Sequence, residues 1–111
     1  MHEGRDRERL QHILSHAREA MAMAAGRTRQ DLDSDRALQI RLVHLIEVVG
    51  EAAARASAAT KARLPSIPWR VMTDMRNRLI HGYDTIDYDV IWDTVVLDLP
   101  QLVAELGRVL G

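Results

Sequence analysis

The sequence contains no cysteine and no phenylalanine, and it has only 6 glycines and 3 prolines in 111 residues. The lack of cysteine excludes disulfides, thiolate zinc sites and a cysteine nucleophile. The scarcity of glycine and proline, with 47% hydrophobic and 28% charged residues, indicates a compact folded chain. At this length, we expect a single domain over residues 1–111.

Long hydrophobic runs are also missing. No segment approaches the ~20 apolar residues of a membrane span, and the charged N-terminus is not that of a signal peptide. We therefore expect no membrane partner and a cytoplasmic location. The net charge is -1, whereas proteins that bind nucleic acid through its phosphates usually have a broadly basic face. Any nucleic-acid chemistry would be confined to a small site or to one assembled by dimerisation.

Apolar residues at steps of three and four predict four helices and no strand. The first covers about residues 5–25, and the second runs from a cap at Asp31, Asp33 or Ser34 to about Ala59. A third helix opens near residue 68, and a fourth follows the acidic loop of residues 84–89. The apolar face of the fourth persists through Pro100, which predicts one helix kinked at that proline. The fold class is therefore predicted to be all-α.

The segment Arg76–Tyr83 places a guanidinium, an amide, an imidazole and a phenol within two helical turns. At ~100° per residue, Asn77 and His81 lie on one face of the third helix, whereas Arg76 lies ~140° from His81. This rotation puts Arg76 inside the apolar arc formed by Val71, Met72, Met75, Leu79 and Ile80. Because an unpaired buried charge is costly, Arg76 must find a carboxylate or an anionic ligand.

Glu51 is a candidate for that carboxylate. It lies one turn from Glu47 on the polar strip of the second helix, where like charges repel unless a cation approaches. Arg76 and Arg55 are the candidate cations. Glu51 either merely neutralises one of them or orients Arg76 for a ligand, and the residues leave both interpretations open.

No metal site or cofactor site is predicted. His12 and His16 lie one turn apart, but no third ligand or glutamate-containing signature accompanies them, so a solvated helix face is favoured. The acidic residues between 84 and 89 lack the pattern of a calcium loop and fit helix caps instead. No glycine-rich phosphate loop or nucleophile turn is present.

Arginine and histidine in one short segment favour phosphoryl-transfer chemistry. Arginine grips a phosphate with its forked donors, and histidine carries protons near neutral pH. RNA offers a 2'-OH beside each phosphate, so His81 can act as a base while Arg76 steadies the charged phosphorane. The alternative is a capped helix in which His81 and Tyr83 are ordinary polar residues.

At this segment the sequence resembles the HEPN superfamily, whose motif is an arginine, usually followed by a polar residue, with four to six residues in all between the arginine and a histidine. Arg76, Asn77 and His81 fill that pattern, and Tyr83 is similar to the tyrosine of the HepT-like branch. The resemblance covers about residues 41–102. Further matching segments, in order, are Gly50–Ala53, Ile67–Trp69, Ile86–Asp87, Trp92 and Leu99–Leu102.

The resemblance implies an antiparallel four-helix bundle that forms a homodimer. It also implies a metal-independent endoribonuclease that cleaves RNA as the toxin of a toxin–antitoxin pair. The antitoxin would be a minimal nucleotidyltransferase that transfers AMP to the motif tyrosine. By position, Arg76 and His81 are the catalytic pair, Asn77 assists them, and Tyr83 accepts the AMP.

Two other interpretations remain open. In one, a non-catalytic helical dimer is a binding or regulatory partner of a nucleotidyltransferase, which the near-neutral charge favours. In the other, the dimer is purely structural and Arg76 pairs with Glu51, so that Arg76→Ala chiefly destabilises the fold.

Overall fold

A computed structural model describes residues 2–80 and 86–111, without the side chains of residues 2–4 and 79–80. Every regular element within those ranges is helical, which confirms the all-α prediction. The elements are α1 (His2–Ala24), α2 (Arg29–Ser34), α3 (Arg36–Arg55), α4 (Ala58–Arg63), α5 (Trp69–Ile80), α6 (Tyr88–Asp93), a π-helical segment (Thr94–Asp98) and α7 (Leu99–Leu110).

Helix α3 carries the centre of the core. Its main apolar stripe is fully buried, namely Leu38, Leu42, Leu45, Ile46, Val49 and Ala53. One side of α3 packs against α1 and another against α5, and α1 also packs against α7. Arg9 contacts Arg55, whereas Glu19 contacts Arg41, so α1 and α3 run antiparallel. The full antiparallel four-helix arrangement and the homodimer stay predictions.

The second predicted helix, residues 31–59, is in fact three helices. Thr28 caps α2, and its reciprocal hydrogen bonds with Asp31 form a capping box. Asp35 ends α2 and begins α3, because its extended backbone lets its carboxylate accept a hydrogen bond from the Leu38 amide. Ser57 caps α4 in the same way. The sequence prediction was therefore wrong about the first cap and about the continuity of this helix.

The chain stays helical from Tyr88 to Leu110, with a π-helical segment just before Pro100, and the kink at Pro100 stays a prediction. Pro100 has no N–H to donate, and its ring crowds the preceding turn. The backbone accommodates it through the π-helical segment, in which the N–H of Leu99 donates to the carbonyl of Thr94. The predicted apolar face survives this change: the buried members are Ile91, Val95, Leu99, Leu102 and Leu106.

Helix α5 positions the segment of interest against α3. Met72 and Met75 are buried as the rotation predicted, but Val71 is 40% exposed, so its assignment to the apolar arc was wrong. Val71 lies on the outer edge of that arc, beyond the side that packs on α3. None of the helices in the described ranges combines the length and the apolar character needed to cross a membrane.

Candidate functional site

A close approach of α5 to α3 sets the position of Arg76. A Cβ atom added to Gly50 would lie 2.6 Å from the Cβ of Arg76 and 3.1 Å from the carbonyl oxygen of Met72. Real Cβ atoms do not tolerate the shorter distance, so any side chain at position 50 would push the helices apart. Glycine at this point therefore lets the stem of Arg76 lie directly on α3.

The guanidinium of Arg76 is held by the carboxylate of Glu51. Nη1 of Arg76 donates to Oε2 of Glu51 at 3.0 Å, and Oε1 of Glu51 accepts from Nε of Arg55, also at 3.0 Å. The anion that the sequence required for Arg76 is thus supplied by α3. Glu51 contacts both candidate cations at once, and it is only half-buried, as is Arg76. Nε of Arg76 is buried and has no hydrogen-bond partner among the described residues.

Arg76 lies in the wall of a surface cleft of about 710 Å³. The cleft runs between α1 and α3, and α5 contributes Arg76 to it. Four arginines, two histidines and three glutamates supply the polar lining. The residues are Arg5, Glu8, Arg9, His12, His44, Glu47, Val48, Glu51, Ala52, Arg55 and Arg76.

The α1 side of the cleft is fixed by a buried carboxylate. Asp6 is 2% exposed; its Oδ2 accepts from the amide of Ser57 at 3.1 Å and from the Ser57 hydroxyl at 2.5 Å. Its Oδ1 accepts from Nη1 of Arg9 at 2.9 Å, and the same nitrogen donates to the Arg55 carbonyl at 3.1 Å. Arg9 is therefore anchored to α1 and to the end of α3 together.

The pKa of Asp6 reflects a competition between burial and hydrogen bonding. Burial disfavours the carboxylate and raises the pKa, but hydrogen bonds from Ser57, Thr60 and Arg9 favour the charged form. The hydrogen bonds win and lower the pKa to about 2. Asp6 is thus ionised near neutral pH, and it holds Arg9 through a charge-assisted hydrogen bond.

His12 and His16 are arranged as neighbours on one helix. Their rings stack with centroids 6.0 Å apart, and Nδ1 of His16 lies 2.7 Å from the carbonyl oxygen of His12. His12 faces the cleft, which the sequence interpretation of a solvated face did not include. Within the part of the chain that the structure describes, no three His, Asp or Glu side chains form a group able to hold a metal ion.

The structure reaches only some of the predicted site residues. It brings Arg76 and Glu51 together, and it places Asn77 exposed on α5, outside the set of residues that line the cleft. His81 and Tyr83 lie outside the described residues. The roles assigned to these positions from the sequence stay predictions.

Sequence reasoning missed the contribution of α1 to the cleft. Arg5 and Arg9 are spaced by four residues, which places both on one helical face and is a readable signal of a cationic stripe. Nothing in the sequence shows that this stripe faces α3, because the contact of Arg9 with Arg55 joins residues 46 positions apart. His44 likewise lines the cleft but belongs to no motif.

The chain is similar to ribonucleases over most of its length. Residues 13–109 match the family described as Ribonuclease HepT-like. A protein of Thermococcus cleftensis named "Probable ribonuclease HepT" is 36% identical over 79 residues, which are 71% of this chain and 72% of that protein. A Caldanaerobacter subterraneus protein with a provisional RNase name is 28% identical over 101 residues, covering 91% of this chain and 90% of that protein.

A second provisionally named RNase, from Methanocaldococcus jannaschii, is 25% identical over 98 residues, covering 88% of this chain and 84% of that protein. No solved structure matches the chain at a significant level. The family match spans most of the chain, including α3, α5 and the wall of the cleft that holds Arg76. The chain therefore belongs to the Ribonuclease HepT-like family of the HEPN superfamily, and its class is that of an endoribonuclease.

Proposed function

We propose that this protein is a single-domain, cytoplasmic toxin of a toxin–antitoxin pair that cleaves single-stranded RNA without a metal ion. The observation that carries the proposal is the setting of Arg76. Its guanidinium is held by the half-exposed carboxylate of Glu51 at the wall of a cleft lined by four arginines and three glutamates. A fixed cation beside an open cleft is the arrangement that stabilises a phosphorane.

In the proposed reaction, His81 takes the proton of a ribose 2'-OH as general base. The 2'-oxygen then attacks the adjacent phosphorus, the bond from phosphorus to the 5'-oxygen breaks, and a 2',3'-cyclic phosphate forms. The leaving 5'-oxygen must receive a proton. Arg76 stabilises the extra negative charge on the phosphorane, and Asn77, exposed one residue further along α5, assists in holding the phosphate.

The general acid for the 5'-oxygen can come from the second subunit of a homodimer. A two-fold axis near α5 would place two copies of the motif across one groove, with His81 of the second subunit opposite the first. The same arrangement doubles the number of guanidinium groups around the substrate. Phosphate binding would then depend on this local group of arginines and not on the net charge of the chain, which is -1.

Glu51 fits the role of an orienting residue for Arg76. An ion pair between partly exposed groups contributes only about 0–1 kcal/mol to stability, so its main effect is to restrict where the guanidinium lies. A substrate phosphate can then bind the donors of Arg76 that Glu51 leaves free. Arginine carries five N–H donors; Glu51 accepts a hydrogen bond from Nη1 of Arg76, and Nε is buried, so the remaining donors of the two terminal nitrogens are the ones proposed to bind the phosphate.

Transfer of AMP to Tyr83 is the proposed means of neutralisation. A minimal nucleotidyltransferase would join the α-phosphorus of ATP to the phenolic oxygen and release pyrophosphate. The added phosphodiester is a bulky anion two residues from His81. It would compete with RNA for Arg76 and block the groove.

The ribonuclease proposal is tested by cleavage and growth assays without any partner protein. The wild type should cleave single-stranded RNA and arrest growth, whereas Arg76→Ala and His81→Ala should fold normally and lose activity by at least about 10²-fold. Arg70→Ala is the matched control, because Arg70 lies exposed on the same helix and outside the cleft lining. A wild type that binds a nucleotidyltransferase but cuts no RNA would support the non-catalytic dimer instead.

The neutralisation proposal is tested with a nucleotidyltransferase and ATP. We expect the mass of the wild type to rise by one AMP unit or a multiple of it and its RNA cleavage to stop, because the adduct occupies the groove. Tyr83→Phe should keep its mass and its activity. Tyr88→Phe is the control, since Tyr88 is half-buried at the start of α6. Equal modification of Tyr83→Phe would show that another residue accepts the AMP.

A further inference from the structure

Arg9 and Arg55 line the same cleft as Arg76. Glu51 binds Arg76 through one oxygen and Arg55 through the other, and the Arg55 carbonyl accepts a hydrogen bond from Arg9. Arg55 follows Glu51 by one helical turn, about 5.4 Å along α3. Arg9 on α1, Arg55 on α3 and Arg76 on α5 therefore all line the cleft, with Arg55 and Arg76 sharing Glu51 and Arg9 bound to the C-terminal end of α3.

Arg9 is held in a fixed position and has hydrogen-bond donors left to bind an anion. Its hydrogen bonds to the described residues all use Nη1, which leaves the donors on Nε and Nη2 for a ligand. The buried, ionised carboxylate of Asp6 holds Arg9 in place. A cation that is already fixed loses little conformational entropy when it binds. Its side chain remains 37% exposed and so accessible from the cleft.

Arg55 offers a second donor set in the cleft that Arg9 also lines. It is 69% exposed, and Glu51 engages it through Nε, so both terminal nitrogens are left for a ligand. A guanidinium group can donate two parallel hydrogen bonds to the non-bridging oxygens of a phosphate. Two such groups together suit one phosphate. A strand of RNA whose scissile phosphate lies at Arg76 would present its neighbouring phosphate in this direction.

We propose that Arg9 and Arg55 form a second phosphate-binding subsite, which holds the phosphodiester adjacent to the scissile one in single-stranded RNA. The proposal rests on the ribonuclease function assigned to the Arg76 site. It assigns α1 a role in substrate binding. Arg9 and Arg55 do not touch the reacting atoms, so they determine affinity for RNA longer than a dinucleotide.

Binding is measured with a 12-nucleotide RNA in which every 2'-OH carries a methyl group, so that it cannot be cleaved. For a single strand, each lost phosphate contact lowers the magnitude of the slope of log K against log salt by about 0.7. We expect Arg9→Ala with Arg55→Ala to lower the slope by about that amount and to weaken binding about tenfold. Arg41→Ala, an ion-paired arginine of α3 outside the cleft, should change neither quantity.

Two features keep this test readable if Arg9→Ala unfolds the protein. Arg55→Ala alone affects a mostly exposed side chain and should show a partial loss in affinity and slope. Lysine at positions 9 and 55 keeps both charges and should restore most of the salt dependence. An identical slope and affinity for the double alanine variant and for Arg41→Ala would overturn the subsite.

Cleavage assays separate this subsite from the active site. A dinucleotide has only the scissile phosphate, so Arg9→Ala, which leaves the contacts of Glu51 with Arg55 and Arg76 in place, should cleave it at the wild-type rate and lose kcat/KM only on the 12-nucleotide RNA, mainly through KM. Equal losses on both substrates would reject the subsite. If the wild type cleaves neither RNA but the salt slope still falls, the subsite stands and the ribonuclease proposal fails.

Discussion

At the scale of single residues, Arg76 is a half-buried cation whose carboxylate partner within the described residues, Glu51, also binds Arg55. This sharing separates two interpretations of Glu51. If Glu51 orients Arg76, Glu51→Gln should lower kcat by about tenfold or more, because a freed guanidinium samples other rotamers. Stability should change by less than about 1 kcal/mol, since the pair is partly exposed.

Thermal denaturation and single-turnover cleavage of the Glu51→Gln variant measure the two effects. Glu47→Gln is the control, because Glu47 lies one turn earlier on α3, lines the same cleft and is exposed. A full cleavage rate with a lowered melting temperature would mean that Glu51 only neutralises the arginines.

Gly50 gives a second prediction at this scale. Gly50→Ala would place a Cβ 2.6 Å from the Cβ of Arg76, so α3 and α5 must separate, at a cost of about 1–3 kcal/mol. Cleavage should fall as well, because Arg76 moves with α5. Gly107→Ala is the matched control: its Cβ would meet only Arg18 Nη2, at 3.8 Å, and should stabilise α7 by about 0.5–1 kcal/mol.

Chemical denaturation of both variants measures the contrast. Equal stability of Gly50→Ala and the wild type would show that the two helices have room at this point, and the account of how Arg76 is positioned would then be wrong.

Predictions for single residues were confirmed where helical rotation alone determines the position of a side chain. They were wrong or missing where packing against another helix determines its burial. Rotation placed Arg76 among buried residues and required an anion for it, and Glu51 is that anion. Rotation also placed Val71 in the apolar arc, but it is exposed, because the width of an arc depends on the neighbouring helix. The close approach at Gly50 is equally unreadable, since it depends on which helix packs there.

At the scale of helices, Asp6 connects the start of α1 to the N-cap of α4 through hydrogen bonds. It accepts hydrogen bonds from Ser57, the N-cap of α4, and from Arg9. The pKa of Asp6 in the folded protein, about 2, lies below its ordinary value of 3.8. The stability that this shift contributes is fully present above about pH 3.8 and is lost as the pH falls towards 2.

This sign gives a prediction for the pH dependence of unfolding. The wild type should lose stability between about pH 4 and pH 2 in part through Asp6, and Asp6→Asn should lose less over that window. At pH 7 the variant should be less stable by about 1–3 kcal/mol, because the partners of a buried carboxylate lose a charged acceptor. Urea denaturation at pH 7, 4 and 2.5 measures both. Parallel losses for Asp6→Asn and the wild type across these values would contradict the assignment.

Helix boundaries show the limit of sequence reasoning at this scale. Asp31, Asp33, Ser34 and Asp35 are all capping residue types, so local propensity does not choose among them. The structure selects Asp35 as the start of α3. The last helix was easier, because apolar steps of four, four, three and four from Ile91 to Leu106 fix one face. The apolar pattern does not predict the π-helical segment that accommodates Pro100.

At the scale of the whole molecule, the cleft reconciles a near-neutral chain with a polyanionic substrate. Arginines from α1, α3 and α5 meet in one place although the net charge is -1. The local motif predicts the Arg76 end of this cleft. It does not predict the Arg9 end, because that end depends on the antiparallel packing of α1 on α3. Composition thus predicted a small local site but not its extent.

The central claim, metal-independent cleavage by Arg76 and His81, is tested most directly by the ends of the RNA products. A single-stranded RNA is incubated with the protein in EDTA, and its fragments are analysed by mass spectrometry. The account predicts 2',3'-cyclic phosphate and 5'-hydroxyl ends with the wild type, and no fragments with Arg76→Ala or His81→Ala. Fragments with 5'-phosphate ends, or cleavage abolished by EDTA, would contradict it.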